Sequence, residues 1–443
     1  MSKPQPLSGF PELLPRHRIV EQQVVDHLRH AFELHGFANV QTRSVEPMDQ
    51  LLRKGETSKE VYVLRRLQAD DANSDAGLGL HFDLTVPFAR YVLENSGKLQ
   101  FPFRRYQIQP CWRGERPQDG RYREFWQADI DIVDRDTLPA HYEIEIPLVM
   151  ADALRGLPLP GITIHVNNRK LSQGFYEGLG IGDPEETLRI VDKLDKIGEE
   201  AVVRELQEKV GASLDQAEKC LALAKISSTD TSFADEVRAL GVKGDVLEEG
   251  LEALTELVEV ANKRAPGLVR ADMSIARGLD YYTGTVYETF IDGQRDLGSI
   301  CSGGRYDTLA SDGKTSYPGV GISLGVSRLL VPMLRAGRLD ASREVPTCVL
   351  VALSDEESRW EASDVAAKLR ERGIAAQVAP AAQKYGKQIK FADKRGIPFV
   401  LFPATEEGGP EVRDIRSGEQ EPVDLDSWTP PAADLKPGIV AAE

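Results

Sequence analysis

The chain has 443 residues, of which 41% are hydrophobic and 28% are charged, a composition typical of a globular protein with two or three domains. No apolar run approaches the roughly 18 residues that a membrane span needs, and residues 1–6 lack the apolar core of a signal peptide, so we expect a cytoplasmic protein without a membrane partner. The four cysteines lack C-x-x-C spacing and none of the seven histidines lies beyond His165, which argues against a disulfide framework and against a metal site made of side chains.

The formal net charge of −16 argues against a nucleic-acid partner, because phosphate backbones bind to local clusters of lysine and arginine. The charge is uneven, however, since residues 104–123 contain six arginines and only two acidic residues. Aromatic side chains such as Trp112 and Phe125 alternate with these arginines, which disfavours ordinary solvated surface charge. An acidic protein can still hold an RNA end with one such basic patch.

The N-terminal part predicts a helix followed by extended segments. Apolar residues at helical spacing indicate an amphipathic helix over residues 16–35. Residues 37–45 alternate as a strand does and stop at Pro47. Residues 68–79 are mostly polar and predict a loop, and residues 80–83 predict a short strand.

A hairpin is predicted next, with residues 111–115 and 121–131 as its limbs and a loop that contains Pro117 and Gly120. Positions 121, 125, 127, 129 and 131 share one face of an extended strand and carry an arginine, a phenylalanine, a glutamine and two aspartates. A hydrophobic core has no use for that set, because each buried charge needs a partner. The face is better suited to a pocket for a charged, planar ligand.

The remaining pattern divides into a helical middle and an alternating C-terminal part. Residues 141–154 predict a helix, residues 161–166 a strand, and residues 171–261 long charged helical stretches at 185–197, 199–210 and 246–262. Strands resume at 269–272 and 285–290, and residues 343–346 indicate a linker. Beyond it, strands at 347–353, 375–378 and 398–402 alternate with helices at 356–372 and 383–394, which predicts a small α/β domain with a parallel sheet. The tail after Trp428 is expected to be flexible.

Several tracts resemble those of a known family. The pattern R-x-E, loop, R-x-x-x-F-x-x-x-D that begins at Arg113 resembles motif 2 of class II aminoacyl-tRNA synthetases, and residues 319–328 resemble motif 3. The tract RGLDYYTG at residues 277–284, with CSGGRYD at 301–307, resembles the histidine-binding segment of the histidyl-tRNA synthetase family. Pro47 resembles the motif 1 proline at the dimer interface, and residues 385–390 resemble the anticodon-binding domain of class IIa synthetases.

The resemblance implies an α+β fold: a catalytic domain on an antiparallel sheet, interrupted by a helical insertion and followed by a C-terminal α/β anticodon-binding domain. The expected boundaries are 1–170 and 262–340 for the two parts of the catalytic domain, 171–261 for the insertion, 345–430 for the anticodon-binding domain and 431–443 for a tail. A homodimer is implied as well. The implied reaction is ATP-dependent activation of L-histidine and its transfer to the 3′ end of tRNA(His).

The resemblance also implies roles for individual residues. Arg113 and Arg277 would be catalytic, gripping the histidine carboxylate and the α-phosphate from opposite sides. The expected histidine-binding residues are Asp83, Thr85, Arg113, Gln127, Asp131, Arg277, Tyr281 and Tyr282. The expected ATP-binding residues are Arg113, Glu115, Arg121, Phe125 and Arg328, with Mg²⁺ bridging the β- and γ-phosphates. Arg116 and Gln118 would contact the tRNA acceptor end.

Two positions depart from the family pattern. Ser327 precedes Arg328 where motif 3 usually has an acidic residue, so a contact to the arginine's surroundings is lost or rebuilt. Residues 8–15 also differ from the usual N-terminal loop.

Two other functions are weighed against the enzyme. Synthetase-like paralogues serve as histidine-sensing regulatory subunits of ATP phosphoribosyltransferase, but they typically lack the anticodon-binding domain and lose arginines of the ATP site, whereas this chain keeps both. An RNA-binding module without catalysis is the other alternative.

Overall fold

The computed structural model describes residues 4–52, 60–66, 77–275, 281–404 and 408–441. The chain divides into two compact units, one formed by Met1–Pro11 and Asp26–Pro332 and the other by Glu12–Val25 and Met333–Glu443. The expected loop over residues 68–79 and the expected tail lie partly outside the described residues. The RGLD tract at 277–280, which includes Arg277, lies outside them entirely.

The helices and strands of the first unit follow in chain order. The N-terminal part contains α1 (Pro15–Leu34), β1 (Ala38–Asn39), β2 (Val45–Pro47), α2 (Met48–Leu51), β3 (Leu78–Leu80), α3 (Thr85–Asn95), β4 (Phe103–Trp112), β5 (Glu124–Val133), α4 (His141–Arg155) and β6 (Ile162–Asn168). The middle contains α5 (Arg169–Gly178), α6 (Pro184–Val191), α7 (Leu194–Ile197), α8 (Glu199–Val210), α9 (Leu214–Ala224), β7 (Ser227–Ser228), α10 (Phe233–Ala239) and α11 (Asp245–Arg264). The unit closes with β8 (Val269–Asp272), β9 (Thr285–Ile291), β10 (Cys301–Tyr306), β11 (Gly319–Gly325) and α12 (Val326–Arg335), whose last residues belong to the second unit.

Among the described residues of the first unit, nine strands form one sheet in the order β1-β4-β5-β11-β10-β9-β6-β8-β7. Its long central strands are antiparallel, as predicted, while β1 pairs with β4 and β6 with β8 in parallel. The side chains of β5 that alternate with the polar ones, such as Ile130 and Ile132, are fully buried on the other face of the sheet. Burial of that apolar face fixes the register, because a slip by one residue would exchange the two faces.

The predicted strands near the N-terminus were partly wrong. Residues 37–45 form only the two short strands β1 and β2, and residues 81–84 are not a strand, since β3 ends at Leu80 and the helix α3, which was not predicted, begins at Thr85. The Asp83 carboxylate accepts a hydrogen bond from the Val86 amide at 3.1 Å, and Pro87 stands in the first helical turn, where its missing N–H does no harm. Asp83 and Pro87 together were the sequence signal for this helix start.

The helical middle agrees with the prediction in kind and differs in detail. Residues 199–210 form one helix, as predicted, and α11 extends the predicted helix 246–262 by a few residues. The predicted helix 185–197 is divided into α6 and α7, because residues 192 and 193 end the first helix. The strand 269–272 has its predicted bounds.

The second unit contains β12 (Leu339–Ala341), β13 (Val349–Val351), α13 (Arg359–Glu371), β14 (Ala376–Val378), α14 (Tyr385–Lys394), β15 (Phe399–Phe402), β16 (Glu411–Asp414), β17 (Gln420–Pro422), α15 (Ala432–Leu435) and β18 (Ile439–Ala441). The sheet order is β14-β13-β15-β16-β17. The first three strands are parallel, as predicted, but β16 and β17 are antiparallel additions, so the sheet is mixed. Apolar residues of β13 and β15 are fully buried in the core of this unit.

The described part of the tail, up to residue 441, contains regular secondary structure, contrary to the expected flexibility, and the linker is held by hydrogen bonds. Residues 439–441 form β18, which pairs with β12 in antiparallel register. The side chain of Gln23 donates a hydrogen bond to the Pro437 carbonyl. In the linker, the buried Arg343 guanidinium donates to the carbonyls of Val345, Pro346, Asp434 and Leu435.

Candidate active site

The polar face of β5 forms one wall of a small recess in the first unit. Strand pairing places Gln127, Asp129 and Asp131 of β5 opposite Gly325, Ser323 and Gly321 of β11. The next strand, β10, places Ser302 opposite Ser323 and Gly304 opposite Gly321. The residues lining the recess include Thr85, Asp129, Asp131, Tyr282, Tyr306 and Ser323.

Glycines make room for these side chains. A Cβ on Gly321 would lie 2.2 Å from an oxygen of Asp131, and one on Gly319 would lie 2.6 Å from the Tyr306 ring. A Cβ on Gly304 would lie 2.8 Å from the Tyr282 ring. Gly303 and Gly304 therefore line the recess, and the missing Cβ of Gly304 leaves room for the Tyr282 ring. The space beside this pair is thus used by the protein itself and not only by a ligand.

A buried arginine holds the carboxylates of the recess. Arg105 of β4 has no exposed surface, and one of its nitrogens lies 2.6 Å from an oxygen of Asp131 and 3.9 Å from an oxygen of Asp129. Its guanidinium lies 4.2 Å from the centre of the Phe88 ring. The Tyr306 hydroxyl donates to Asp131 at 2.8 Å. Asp131 is thus held by a charge and by a hydroxyl, whereas Asp129 shares the same arginine at longer range.

The two aspartates differ in their ionisation as a result. Burial raises the pKa of the Asp129 carboxyl to about 7, and the positive charge of Arg105 only partly opposes this rise. The negative charges of Asp131 and Asp83 raise it further. At neutral pH the recess therefore holds an Asp129 carboxyl that is neutral for part of the time.

Gln127 is linked to Asp129 through Ser323 and carries a side-chain oxygen that can accept a further hydrogen bond. The Gln127 side-chain nitrogen donates to the Ser323 hydroxyl oxygen, and the Ser323 hydroxyl donates to Asp129. The Gln127 side-chain oxygen is buried and has no hydrogen-bond partner within the described part of the chain. A buried amide oxygen without a donor is unfavourable, so the position is suited to a ligand N–H group.

Two tyrosines close another side. The hydroxyls of Tyr281 and Tyr282 lie 2.8 Å apart, and their ring centres are 4.2 Å apart. Burial, followed by the charge of Asp83, raises the pKa of the Tyr281 hydroxyl, which therefore stays protonated as a hydrogen-bond donor. Asp83 and Asp131 both contribute to that shift, so the tyrosines and the carboxylates belong to one cluster.

The hairpin loop carries the remaining arginines. The Arg113 Nε donates to the Phe82 carbonyl at 3.0 Å, and its guanidinium lies 5.0 Å from the centre of the Phe125 ring. Glu115 lies between Arg113, at 3.9 Å, and Arg121, at 3.3 Å. Arg121 is not part of β5, contrary to expectation, because its backbone pairs with that of Gln118 in the turn of the hairpin. Arg116 and Gln118 are exposed on this turn.

Arg328 reaches the same hairpin from the start of α12. Its guanidinium donates to the Leu297 carbonyl at 2.8 and 3.2 Å, and its side chain lies 3.4 Å from where a Cβ on Gly120 would stand. The preceding Ser327 is buried, and its hydroxyl accepts a hydrogen bond from the Trp126 amide at 2.8 Å. Ser327 therefore links the start of α12 to β5 through an uncharged hydrogen bond.

The unusual N-terminal segment also contacts the hairpin. The Gly9 carbonyl accepts hydrogen bonds from the amides of Arg123 and Glu124, at 2.7 and 3.2 Å. Gly9 has a φ of +84°, and a Cβ there would lie 2.8 Å from Pro117, so glycine is needed at this position.

Sequence reasoning missed four residues of the recess. Arg105 was counted only as part of a basic patch, Asp129 was placed on the polar face without a role, and Tyr306 and Ser323 were not singled out. The period of two could have indicated Arg105, because Arg105, Gln107 and Gln109 lie on the same face of β4. They stand opposite Asp131, Asp129 and Gln127 of β5. Ser323 depends on the pairing of β5 with β11, which are far apart in sequence.

Two further findings concern metal and membrane. The described residues contain no group of three or more His, Cys, Asp and Glu side chains placed to hold a metal ion. Within the same residues, no helix combines the length and the apolar character needed to cross a bilayer.

The chain is similar to known proteins over nearly its whole length. A family model described as histidyl-tRNA synthetase matches residues 9–329, and one described as anticodon binding domain matches residues 347–429. The histidine–tRNA ligases of Cutibacterium acnes and Micrococcus luteus are 58% and 57% identical to it, covering 99% and 100% of this chain and equal shares of their own. The solved structure of histidyl-tRNA synthetase from Nostoc sp. PCC 7120 superimposes with a TM-score of 0.85 at 33% identity, covering 96% of this chain and 98% of that one.

Proposed function

Since the chain belongs to the histidyl-tRNA synthetase family, we propose that its recess binds L-histidine and, with ATP, forms histidyl-adenylate, from which histidine passes to the 3′ end of tRNA(His). The observation that carries the proposal is the buried cluster of Asp83, Asp129 and Asp131 beside the unpartnered oxygen of Gln127. Such a cluster favours a cationic ligand rich in N–H donors, and the ammonium and imidazole groups of histidine supply both.

In this reaction an oxygen of the histidine carboxylate attacks the α-phosphorus of ATP, and diphosphate leaves with the electron pair of the broken P–O bond. No general base is needed, because the carboxylate is already ionised at neutral pH. Catalysis then depends on alignment and on the cancelling of negative charge, and guanidinium groups do both. We assign this role to Arg113 and Arg277.

The assignment of histidine-binding residues follows the chemistry of the recess. Asp83, Thr85 and Gln127 would accept hydrogen bonds from the ammonium group. Asp131, Tyr281 and Tyr282 would bind the imidazole. A site built around buried polar groups rejects apolar analogues by on the order of 10⁴-fold, because they leave those groups unpaired.

ATP would lie along the hairpin. Phe125 offers a ring for the adenine and Glu115 a carboxylate for its amino group, while Arg121 and Arg328 would hold the γ-phosphate. A Mg²⁺ ion would be held mainly by oxygens of the triphosphate, which is how Mg²⁺ is often bound at nucleotide sites. Glu115 is the carboxylate beside Arg113 and Arg121 on the hairpin. One carboxylate suits an ion that is held mainly by the triphosphate better than an ion that is held only by protein side chains.

For tRNA, the exposed turn with Arg116 and Gln118 would contact the acceptor end. In the second unit, helix α14 and the residue before it expose the side chains of Lys384, Lys387, Lys390 and Lys394, and among the described residues none of these forms an ion pair or a side-chain hydrogen bond. Unneutralised lysines along one helix are suited to an RNA backbone.

The domain boundaries, the oligomeric state and the location of the protein are proposals as well. We propose boundaries at residues 170, 261 and 340 for the catalytic parts and the insertion, and an anticodon-binding domain over 345–430. The family match over residues 347–429 supports the last of these domains, and the match over 9–329 covers the first three segments as one. We also propose a homodimer, from the resemblance of residues 16–47 to motif 1, and a cytoplasmic location, where charged tRNA is used.

A histidine-sensing regulatory subunit of ATP phosphoribosyltransferase is less well supported. The chain keeps Arg113, Arg121 and Arg328 around the hairpin, and a match to an anticodon binding domain follows the first unit. An RNA-binding module without catalysis has no use for the buried polar recess.

Histidine-dependent exchange of diphosphate into ATP tests the proposal directly. We expect exchange with histidine that falls by at least roughly a hundredfold in Arg277→Ala, because one of the two positive charges assigned to the α-phosphate is lost. Arg155→Ala, at an exposed pair on α4, is the matched control and should leave exchange intact. Exchange with another amino acid, or none, would reject the enzyme.

A further inference from the structure

Asp129 is a carboxyl that the proposed roles leave unused, although it lines the recess. It is almost fully buried, at 2% exposure, and it stands between Asp131 on its own strand and Ser323 on β11. Neither apolar packing nor a dedicated ion pair explains it, since the only arginine near it, among the described residues, lies closer to Asp131.

Charged groups from three segments act on Asp129 within the part of the chain that the structure describes. From β4 it faces Arg105 and the amide of Gln107, and from its own strand Asp131. Asp83, which precedes α3, is near enough to act on it through its charge. The other titratable neighbours among the described residues are the hydroxyls of Tyr281, Tyr282 and Tyr306. Burial raises the pKa of Tyr281 and of Tyr306, so both hydroxyls stay protonated at physiological pH. Among the described residues, Arg105 is therefore the guanidinium that favours the ionised form of Asp129, while the charges of Asp131 and Asp83 oppose it.

We propose that Asp129 is a positioning residue for histidine whose carboxyl gives up a proton to solvent when the ammonium group of the amino acid enters the recess, so that histidine binding is coupled to proton release. The inference rests on the proposed function. It adds to the recess a third carboxyl, whose ionisation depends on whether the ligand is present.

A hydrogen-bonded path connects Asp129 to the ligand position. The Gln127 oxygen is buried and lacks a donor, so a ligand N–H group is expected there. Gln127 in turn donates to Ser323, and Ser323 donates to Asp129. A cation at Gln127 would favour the ionised form of Asp129, both through its charge and through the oriented Ser323 hydroxyl. Since burial brings the pKa of Asp129 to about 7, a modest downward shift releases a proton near neutral pH.

Calorimetry of histidine binding in two buffers with different ionisation enthalpies measures the protons released. We expect the full-length wild type to release about half a proton more per histidine than Asp129→Asn at a pH near the Asp129 pKa of about 7. The comparison with the variant removes any proton taken up by the imidazole of histidine. Asp235→Asn, whose side chain is 93% exposed on α10, is the control and should match the wild type.

A second variant covers the case in which Asp129→Asn fails to fold or to bind. Ser323→Ala removes the hydroxyl that stabilises the carboxylate, so the midpoint of proton release should move to higher pH. Equal proton release in wild type and Asp129→Asn, or an unmoved midpoint in Ser323→Ala, overturns the coupling and leaves the enzyme assignment intact. A wild type that neither binds histidine nor exchanges diphosphate overturns both.

Discussion

At the scale of single residues, Arg105 decides how the recess is held together. Its guanidinium is fully buried between the carboxylates of Asp129 and Asp131 and the ring of Phe88. A buried pair contributes little relative to apolar residues, but removal of one partner leaves the other charge without compensation. The arginine is therefore needed because the carboxylates are present.

Replacement of Arg105 by methionine should lower the free energy of unfolding by roughly 3–5 kcal/mol, since the aspartates lose their counter-charge. Urea unfolding followed by circular dichroism measures this loss. Arg155→Met, at an exposed pair on α4, should change stability by less than about 1 kcal/mol. If the two variants lose equal stability, Arg105 does not compensate the buried carboxylates.

Asp129 should make stability depend on pH. Its pKa is raised from 3.8 to about 7 in the folded protein, so the unfolded chain loses this proton at lower pH than the folded one. The contribution of the neutral carboxyl is complete below the unfolded value and is lost as pH rises through about 7. The free energy of unfolding of the wild type should therefore fall as pH rises towards 7. In Asp129→Asn this fall should be smaller by on the order of a few kcal/mol. Parallel unfolding curves for wild type and variant across this range would contradict the assignment.

Single residues also show where sequence patterns were sufficient. The period of two placed Phe125, Gln127, Asp129 and Asp131 on one face, because that period is local to one strand. The roles of Arg105 and Ser323 depend on which strands pair across about twenty and two hundred residues, and no local pattern contains that pairing.

At the scale of elements, the C-terminal segment shows how composition can mislead. Its prolines and alanines suggested flexibility, yet β18 pairs with β12, and Ser342 exchanges hydrogen bonds with Gly438. Backbone pairing of this kind needs few particular side chains, so the sequence carries little trace of it. Amphipathic helices such as α1 were predicted because their pattern is strong.

Deletion of residues 437–443 should therefore destabilise the second unit. The change removes the β12–β18 pairing and the carbonyl partner of Gln23, and the expected loss is on the order of 2 kcal/mol. Thermal unfolding of the full chain and of the shortened chain measures it. Deletion of residues 442 and 443 alone, which keeps β18, is the control. An unchanged melting temperature in the longer deletion would mean that the pairing contributes no net stability.

At the scale of the whole molecule, the chain carries a net charge of −16 and yet is proposed to bind tRNA. Several lysines on or next to helices of the first unit are paired with glutamates, as Lys209, Lys225 and Lys263 are. Those of α14 are not, within the part of the chain that the structure describes, so favourable charge for RNA is concentrated there. The net charge of a protein thus says less about an RNA partner than the location of its unpaired cations.

Replacement of Lys384, Lys387 and Lys390 by alanine should separate the two steps of the reaction. Histidine-dependent diphosphate exchange should be unchanged, while the KM for tRNA rises by roughly tenfold at low salt and the slope of log affinity against log salt falls by about 2. The triple variant of Lys209, Lys225 and Lys263 is matched in charge and should leave tRNA affinity near the wild-type value, since each of those lysines is already neutralised by a glutamate. Equal effects of the two triple variants would show that tRNA responds to total charge, and α14 would then have no special part in binding it.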